Sequence, residues 1–101
     1  MADDCLFCKL ISGEIPTNKV YEDYICFAFD DIEPEAPVHT LLVPKKHYDD
    51  LCDGIPAEVL GHMLSVVPKV AELKGVRESG FRTVMNTGPD SAATVKHFHI
   101  H

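Results

Sequence analysis

Basic residues are scarce. Nine lysines and arginines face sixteen aspartates and glutamates, giving a formal net charge of −7. That balance lacks the basic footprint of a general nucleic-acid or anionic-membrane binder. A small phosphorylated substrate is still allowed, because local amides, hydroxyls and imidazoles can hold it. Long apolar runs are missing too: no stretch could span a bilayer, and no basic-then-apolar start resembles a signal peptide. The expected setting is a reducing, cytoplasmic one, with neither nucleic acid nor membrane as partner. There, the four cysteines read as metal ligands or buried thiols before disulfides. Repeats, linkers and low-complexity tracts are absent as well, and 101 residues make one domain, 1–101. Its core is modest, so oligomerisation would help it.

What the chain does have is concentrated in Val95-Lys96-His97-Phe98-His99-Ile100-His101. In an extended strand alternate side chains face opposite ways. Val95, His97, His99 and His101 then line one face, while Phe98 and Ile100 anchor the other in a core. Imidazole works near neutral pH as acid, base, nucleophile or metal ligand. A purification tag has no reason to alternate histidine with large apolar residues, so these three imidazoles read as a chemical site.

Cys5-Leu6-Phe7-Cys8-Lys9-Leu10-Ile11, with acidic residues before it and Gly13 after, reads as one or two helical turns. Cys5 and Cys8 then share a face and could bind one metal ion. A Cys-x-x-Cys pair can also be a redox dithiol, but that wants a preceding strand and a longer helix. Metal fits better, provided two further ligands are found. Lys19–Glu22 reads as a short strand and Glu22-Asp23 as a turn. The aromatic, β-branched run Tyr24–Phe29 reads as the central strand, with Cys26 a core residue. Asp30 and Asp31 follow at the strand end, where a carboxylate could accept hydrogen bonds from a ribose diol.

His39–Val43 is a second strong strand ended by Pro44. His47 gains interest only if it meets the cysteines or the terminal histidines in space. Pro56 and Glu58 open one long helix to about Leu73, with Val59, Leu60, Met63, Leu64, Val67, Val70 and Ala71 as its apolar stripe. Pro68 should kink that helix. The stripe is wide for so small a domain, so part of it is expected to pack on a partner subunit. Gly75 ends the helix, and Phe81–Asn86 reads as a third strand before the histidine strand.

His97-Phe98-His99-Ile100-His101 resembles the His-φ-His-φ-His core of the histidine triad family. The likeness extends to Cys5–Pro16, Phe29–Ile32, Ala36–His39, Val43–His47, and Asn86 with Gly88, which follow the Hint branch in order. The resemblance implies an α+β, HIT-like domain: an antiparallel sheet of about five strands, one long and one short helix, and a sheet extended across a homodimer. It implies binding of purine nucleoside monophosphates and hydrolysis of nucleoside 5′-phosphoramidates to monophosphate and amine, through a nucleotidyl-histidine intermediate. His99 matches the nucleophile, with His97, His101 and Thr94 beside it as catalytic positions. Asp31 matches the ribose-binding residue and Ile32 the one against the base. Asn86, Ala92, Ala93, Thr94, His99 and His101 match positions around the phosphate. Some relatives bind a structural zinc with residues matching Cys5, Cys8, His47 and His97, a closed Cys₂His₂ set.

Phosphoryl-type transfer asks the protein mainly for positioning and charge stabilisation, which imidazoles, a hydroxyl and backbone amides can supply. Most of the Hint branch has Gly-Gln-Ser or a close variant where this chain has Ala92-Ala93-Thr94, and Ala93 lacks the amide that would contact phosphate or leaving group. That departure keeps one rival open, a nucleotide-binding adaptor or regulator with little catalysis. A second rival, a dinucleoside polyphosphate hydrolase, belongs to another branch of the family, and the Cys-x-x-Cys start argues against it.

Overall fold

The computed structural model describes residues 5–91 and 95–101. Helix α1 (Leu6–Ser12) is followed by strands β1 (Lys19–Glu22), β2 (Cys26–Asp30) and β3 (Thr40–Pro44), then helix α2 (Ala57–Leu73). A 3₁₀ turn at Pro89–Ser91 precedes the histidine segment. The three strands form an antiparallel sheet in the order β1-β2-β3.

Local chemistry sets both ends of α1. Cys5 is extended (φ −82°, ψ 117°), and its sulfur accepts the Cys8 N–H at 3.3 Å, an N-cap in which a thiol takes the place of a hydroxyl. Gly13 closes the helix at φ 84°, where a Cβ would be strained, and its N–H bonds the Leu10 carbonyl. At the end of α2, Lys74 is the cap and Gly75 takes φ 74°. Pro68 lies inside α2, so the Leu64 carbonyl receives no helical bond from that position.

Alternation sorts the sheet into two cores. Cys26 and Ala28 of β2, Leu42 of β3, and Phe98 and Ile100 pack toward α2 with Tyr48, Met63, Val66 and Val70. Phe27, Phe29, Leu41 and Val43 point the other way and pack with Phe7, Leu10 and Ile11 of α1. Burying a side chain of the size of Phe98 or Ile100 stabilises the fold by about 1.5–3 kcal/mol, so the segment carrying the histidines is held from its back.

The expected five-stranded sheet is corrected to three strands, and Phe81–Asn86 is not a regular strand. Two further extended segments are attached by one residue pair each. Leu42 and Ile100 exchange both backbone bonds at 2.9 Å, and Val84 and His101 do so at 3.0 and 2.8 Å. The reason lies in the register. Continuing from Leu42–Ile100, Phe98 would face Pro44, which has no N–H to give. Its own N–H bonds the Tyr48 carbonyl instead, at 2.6 Å, and the ladder stops there. Tyr24, expected in the central strand, stands in the β1–β2 turn and is 96% exposed.

Within α2 the buried residues are Met63, Val66, Val70 and Ala71, with Val59, Leu60 and Val67 partly buried. Leu64, read as part of the inward stripe, is exposed, as is Leu73. No helix among the described residues is long and apolar enough to cross a membrane.

Candidate active site

His97, His99 and His101 lie on the α1 side of the sheet, as alternation requires once Phe98 and Ile100 are committed to the α2 side. Their burial is graded. His97 is fully buried, His99 nearly so at 8% exposure, and His101 half-buried. The neighbouring rings stand edge to face, His99–His101 with centroids at 4.8 Å.

The hydrogen bonds fix which nitrogen of each ring carries the proton. His97 Nε2 lies 2.9 Å from the Pro44 carbonyl, an acceptor only, so Nε2–H donates and Nδ1 is left with its lone pair. His99 Nδ1 lies 2.7 Å from the His97 carbonyl, so here Nδ1–H donates and Nε2 is the bare nitrogen. In its neutral form the His99 ring thus presents Nε2 as the nucleophilic nitrogen, held in one tautomer by the backbone of its own strand.

His101 is set by a residue that the sequence reading passed over. His39 Nδ1 accepts the Glu35 backbone N–H at 3.0 Å, so its Nε2 carries the proton. That Nε2 lies 2.8 Å from His101 Nδ1 and 3.5 Å from Asp31 Oδ2. The order of donation is Glu35 N–H to His39, then His39 to His101, leaving Nε2–H as the donor of the His101 ring. Burial first, then the imidazoles of His99 and His39, push the His101 pKa below its ordinary value and favour this neutral form. The signal for His39 was present in the sequence: His39, Leu41 and Val43 alternate onto one face, the face of the terminal histidines.

The second cluster joins the two ends of the chain. Cys5 Sγ and Cys8 Sγ lie 3.2 and 3.4 Å from His97 Nδ1, and Cys8 Sγ lies 3.5 Å from His47 Nδ1. All four ligand atoms fall within 4.8 Å of one another, close enough to hold a metal ion. Metal bonds of about 2.0–2.3 Å give a tetrahedron with edges of roughly 3.3–3.8 Å; two of the three S···N separations fall in that range, and the Cys5–His97 one, at 3.2 Å, lies just under it. Both histidines turn Nδ1 inward, and both are braced behind: His97 by the Pro44 carbonyl, His47 by Asp49 Oδ1 at 2.9 Å. Such outer partners are what orient metal-binding imidazoles. Without a cation, burial and the Cys5 sulfur push the Cys8 thiol up to about 11. Burial and the imidazoles of His47 and His99 push His97 down to about 4. A neutral imidazole is the form that ligates, and a divalent ion would reverse the thiol's preference.

The remaining expected residues are placed unevenly. Asp31 stands beside His39, its Oδ1 accepting the Glu33 N–H at 3.0 Å. Ile32 is 81% exposed at the rim, in direct sequence with Asp31. Asn86 borders two hollows, one of about 670 Å³ that also reaches His39 and His101, and one of about 250 Å³ that reaches His97 and His99. Ala92, Ala93 and Thr94 lie outside the described residues.

Residues 12–101 match the HIT domain family. The chain is 45% identical over 101 residues to Protein HitA of Neisseria gonorrhoeae, spanning 98% of this chain and 94% of that protein. It is 40% identical over 104 residues to the purine nucleoside phosphoramidase of Escherichia coli K12, spanning 100% of this chain and 87% of the relative. Among solved structures, a histidine triad protein from Clostridium difficile superimposes with a TM-score of 0.91 at 49% identity, covering 98% of this chain and 88% of that one. A HIT family hydrolase from Clostridium thermocellum gives a TM-score of 0.94 at 38% identity, covering 100% and 90%.

Proposed function

The chain belongs to the HIT domain family, and from that membership we propose that it is a Hint-branch hydrolase of purine nucleoside 5′-phosphoramidates. The observation that carries the reading is the His99 tautomer: Nδ1–H is committed to the His97 carbonyl at 2.7 Å, which leaves Nε2 as a free nucleophile. The name of the E. coli relative supports the substrate class.

In the proposed reaction His99 Nε2 attacks the α-phosphorus. A P–N bond to the imidazole forms as the P–N bond to the amine breaks, and the departing amine takes up a proton. Water then attacks the nucleotidyl-histidine, releasing monophosphate and restoring the ring. A covalent intermediate splits one hard displacement into two easier ones. His101, held by His39 with Nε2–H as its donor, steadies a phosphoryl oxygen as negative charge builds. Asp31 accepts the ribose hydroxyls, Ile32 lies against the base, and Asn86 borders the phosphate. The chemistry needs no basic surface, which agrees with a net charge of −7.

The ion fitting Cys5, Cys8, His47 and His97 is zinc, in a closed Cys₂His₂ set and hence structural. Bound there, it fixes the direction of His97, whose carbonyl orients the nucleophile. The exposed Leu64 of α2 belongs to the face on which a second copy packs, giving a homodimer.

The test is release of AMP from adenosine 5′-phosphoramidate, with His99→Ala alongside. Turnover by the wild type alone supports the reading. Binding of AMP by both without turnover by either assigns the chain to nucleotide-binding adaptors.

A further inference from the structure

Phe7 lies between Cys5 and Cys8 on α1 and is 5% exposed. Its ring meets His99 at a centroid distance of 5.2 Å with the planes at 89°, and His97 at 5.9 Å and 64°. Phe29 backs it at 5.4 Å. No hydrogen bond explains why an aromatic ring should stand at this point, wedged between two histidines and flanked by two cysteines.

We propose that Phe7 is a positioning residue for the nucleophile: its ring fixes the plane of the His99 imidazole, and the Cys5/Cys8 cluster fixes Phe7. The inference rests on the reading of His99 as the attacking residue. The bond from Nδ1–H to the His97 carbonyl restrains one atom of the ring. It leaves the ring free to tilt about that bond, because the second side-chain torsion of histidine is broad. A T-shaped aromatic neighbour supplies the second restraint. With both in place the Nε2 lone pair points along one line, and an in-line displacement depends on that alignment.

Phe7 in turn cannot move independently of the cysteines. A helix of seven residues is too short to persist unaided, so its position comes from what its side chains touch. Cys5 and Cys8 both meet His97 Nδ1, while Leu10 and Ile11 pack with Phe7 against the sheet. A change at the cysteines therefore reaches His99 by two routes, through the His97 carbonyl and through the Phe7 ring. The second route explains why the ligand pair brackets an aromatic residue.

The test compares Phe7→Leu with Leu10→Ala, which loosens the same helix and core one turn away. Two readouts are taken: kcat and KM with adenosine 5′-phosphoramidate, and the Nδ1–H proton of His99 in an imidazole-selective NMR spectrum. Phe7→Leu is expected to lower kcat about tenfold, or about 1.4 kcal/mol in the barrier, with KM within twofold, and to broaden or abolish the Nδ1–H signal. Leu10→Ala is expected to lower Tm while leaving kcat within twofold and the signal sharp. An unchanged kcat and a sharp signal in Phe7→Leu would overturn the proposal, as would an equal loss in Leu10→Ala. If Phe7→Leu does not fold, Phe7→Met, whose longer unbranched chain adapts to the shape of the gap, is read the same way. If the wild type has no phosphoramidase activity the enzymatic reading fails, and the NMR signal alone then decides whether Phe7 sets the ring.

Discussion

Replacing His39 by phenylalanine keeps a ring of similar size in a side chain that is only 11% exposed, and removes both nitrogens. Two bonds disappear: the Glu35 N–H loses its acceptor at 3.0 Å, and His101 Nδ1 loses its donor at 2.8 Å. The Glu35 amide lies in an exposed loop and finds water, so its loss costs little. His101 Nδ1 faces an apolar ring, and an unsatisfied polar group in such a place costs about 1–3 kcal/mol. The ring escapes that cost by turning away, which removes Nε2–H from the substrate. The same 1–3 kcal/mol taken from transition-state stabilisation lowers kcat by roughly 5- to 150-fold. AMP affinity should change less than kcat, because Ile32 and Asn86 are untouched and Asp31 loses only its 3.5 Å contact with His39. The assay is steady-state hydrolysis of adenosine 5′-phosphoramidate beside AMP titration, with His39→Gln recovering part of the loss through its side-chain amide. A kcat within twofold of wild type in folded His39→Phe would refute the order of proton donation assigned to Glu35, His39 and His101.

Two further outcomes follow from the geometry. Cys5→Ser with Cys8→Ser should abolish stoichiometric zinc by elemental analysis and lower Tm, and chelation of the wild type should do the same; a metal-free wild-type protein would end the zinc assignment. Asp23→Asn should cost about 2–3 kcal/mol, or roughly 10–20 °C in Tm for a domain of this size. Its carboxylate accepts the Ile25 and Cys26 amides at 2.8 and 2.9 Å, the Tyr21 hydroxyl at 2.8 Å and His62 at 2.6 Å. Burial alone would raise this carboxyl, but those bonds outweigh it and hold it well below the usual range. Its contribution is thus full above pH 4 and fades as acid protonates it in the folded state. The gap between wild type and variant in chemical denaturation should therefore narrow as pH falls from 4 toward 2.

The parts of this molecule legible in the sequence are those governed by short periods. The two-residue alternation of Val95–His101 places Phe98 and Ile100 in one core and the histidines on the other face without any knowledge of the sheet. The end of α1 follows from Gly13, and the limits of α2 from Pro56 and Gly75. The sheet's interruption was less visible, because it needs the register as well as the residue. Pro44 ends β3, and only when Leu42 is seen opposite Ile100 does Phe98 lose its partner. The pairing of His39 with His101 spans 62 residues and depends on two strands lying side by side, which no local pattern specifies. Asp23 read as a turn residue; that it gathers Tyr21, Cys26 and His62 depends on α2 crossing the β1–β2 hairpin. The metal cluster is intermediate: Cys5 and Cys8 announce themselves, whereas His47 and His97 join them only through the fold.

The most direct test of the account is a single incubation of the purified protein with adenosine 5′-phosphoramidate, followed by mass spectrometry after acid-free quenching. The account predicts AMP release by the wild type, a transient adduct of one adenylyl group on His99, and neither in His99→Ala. Equal release by His99→Ala, or an adduct on any other residue, would contradict it.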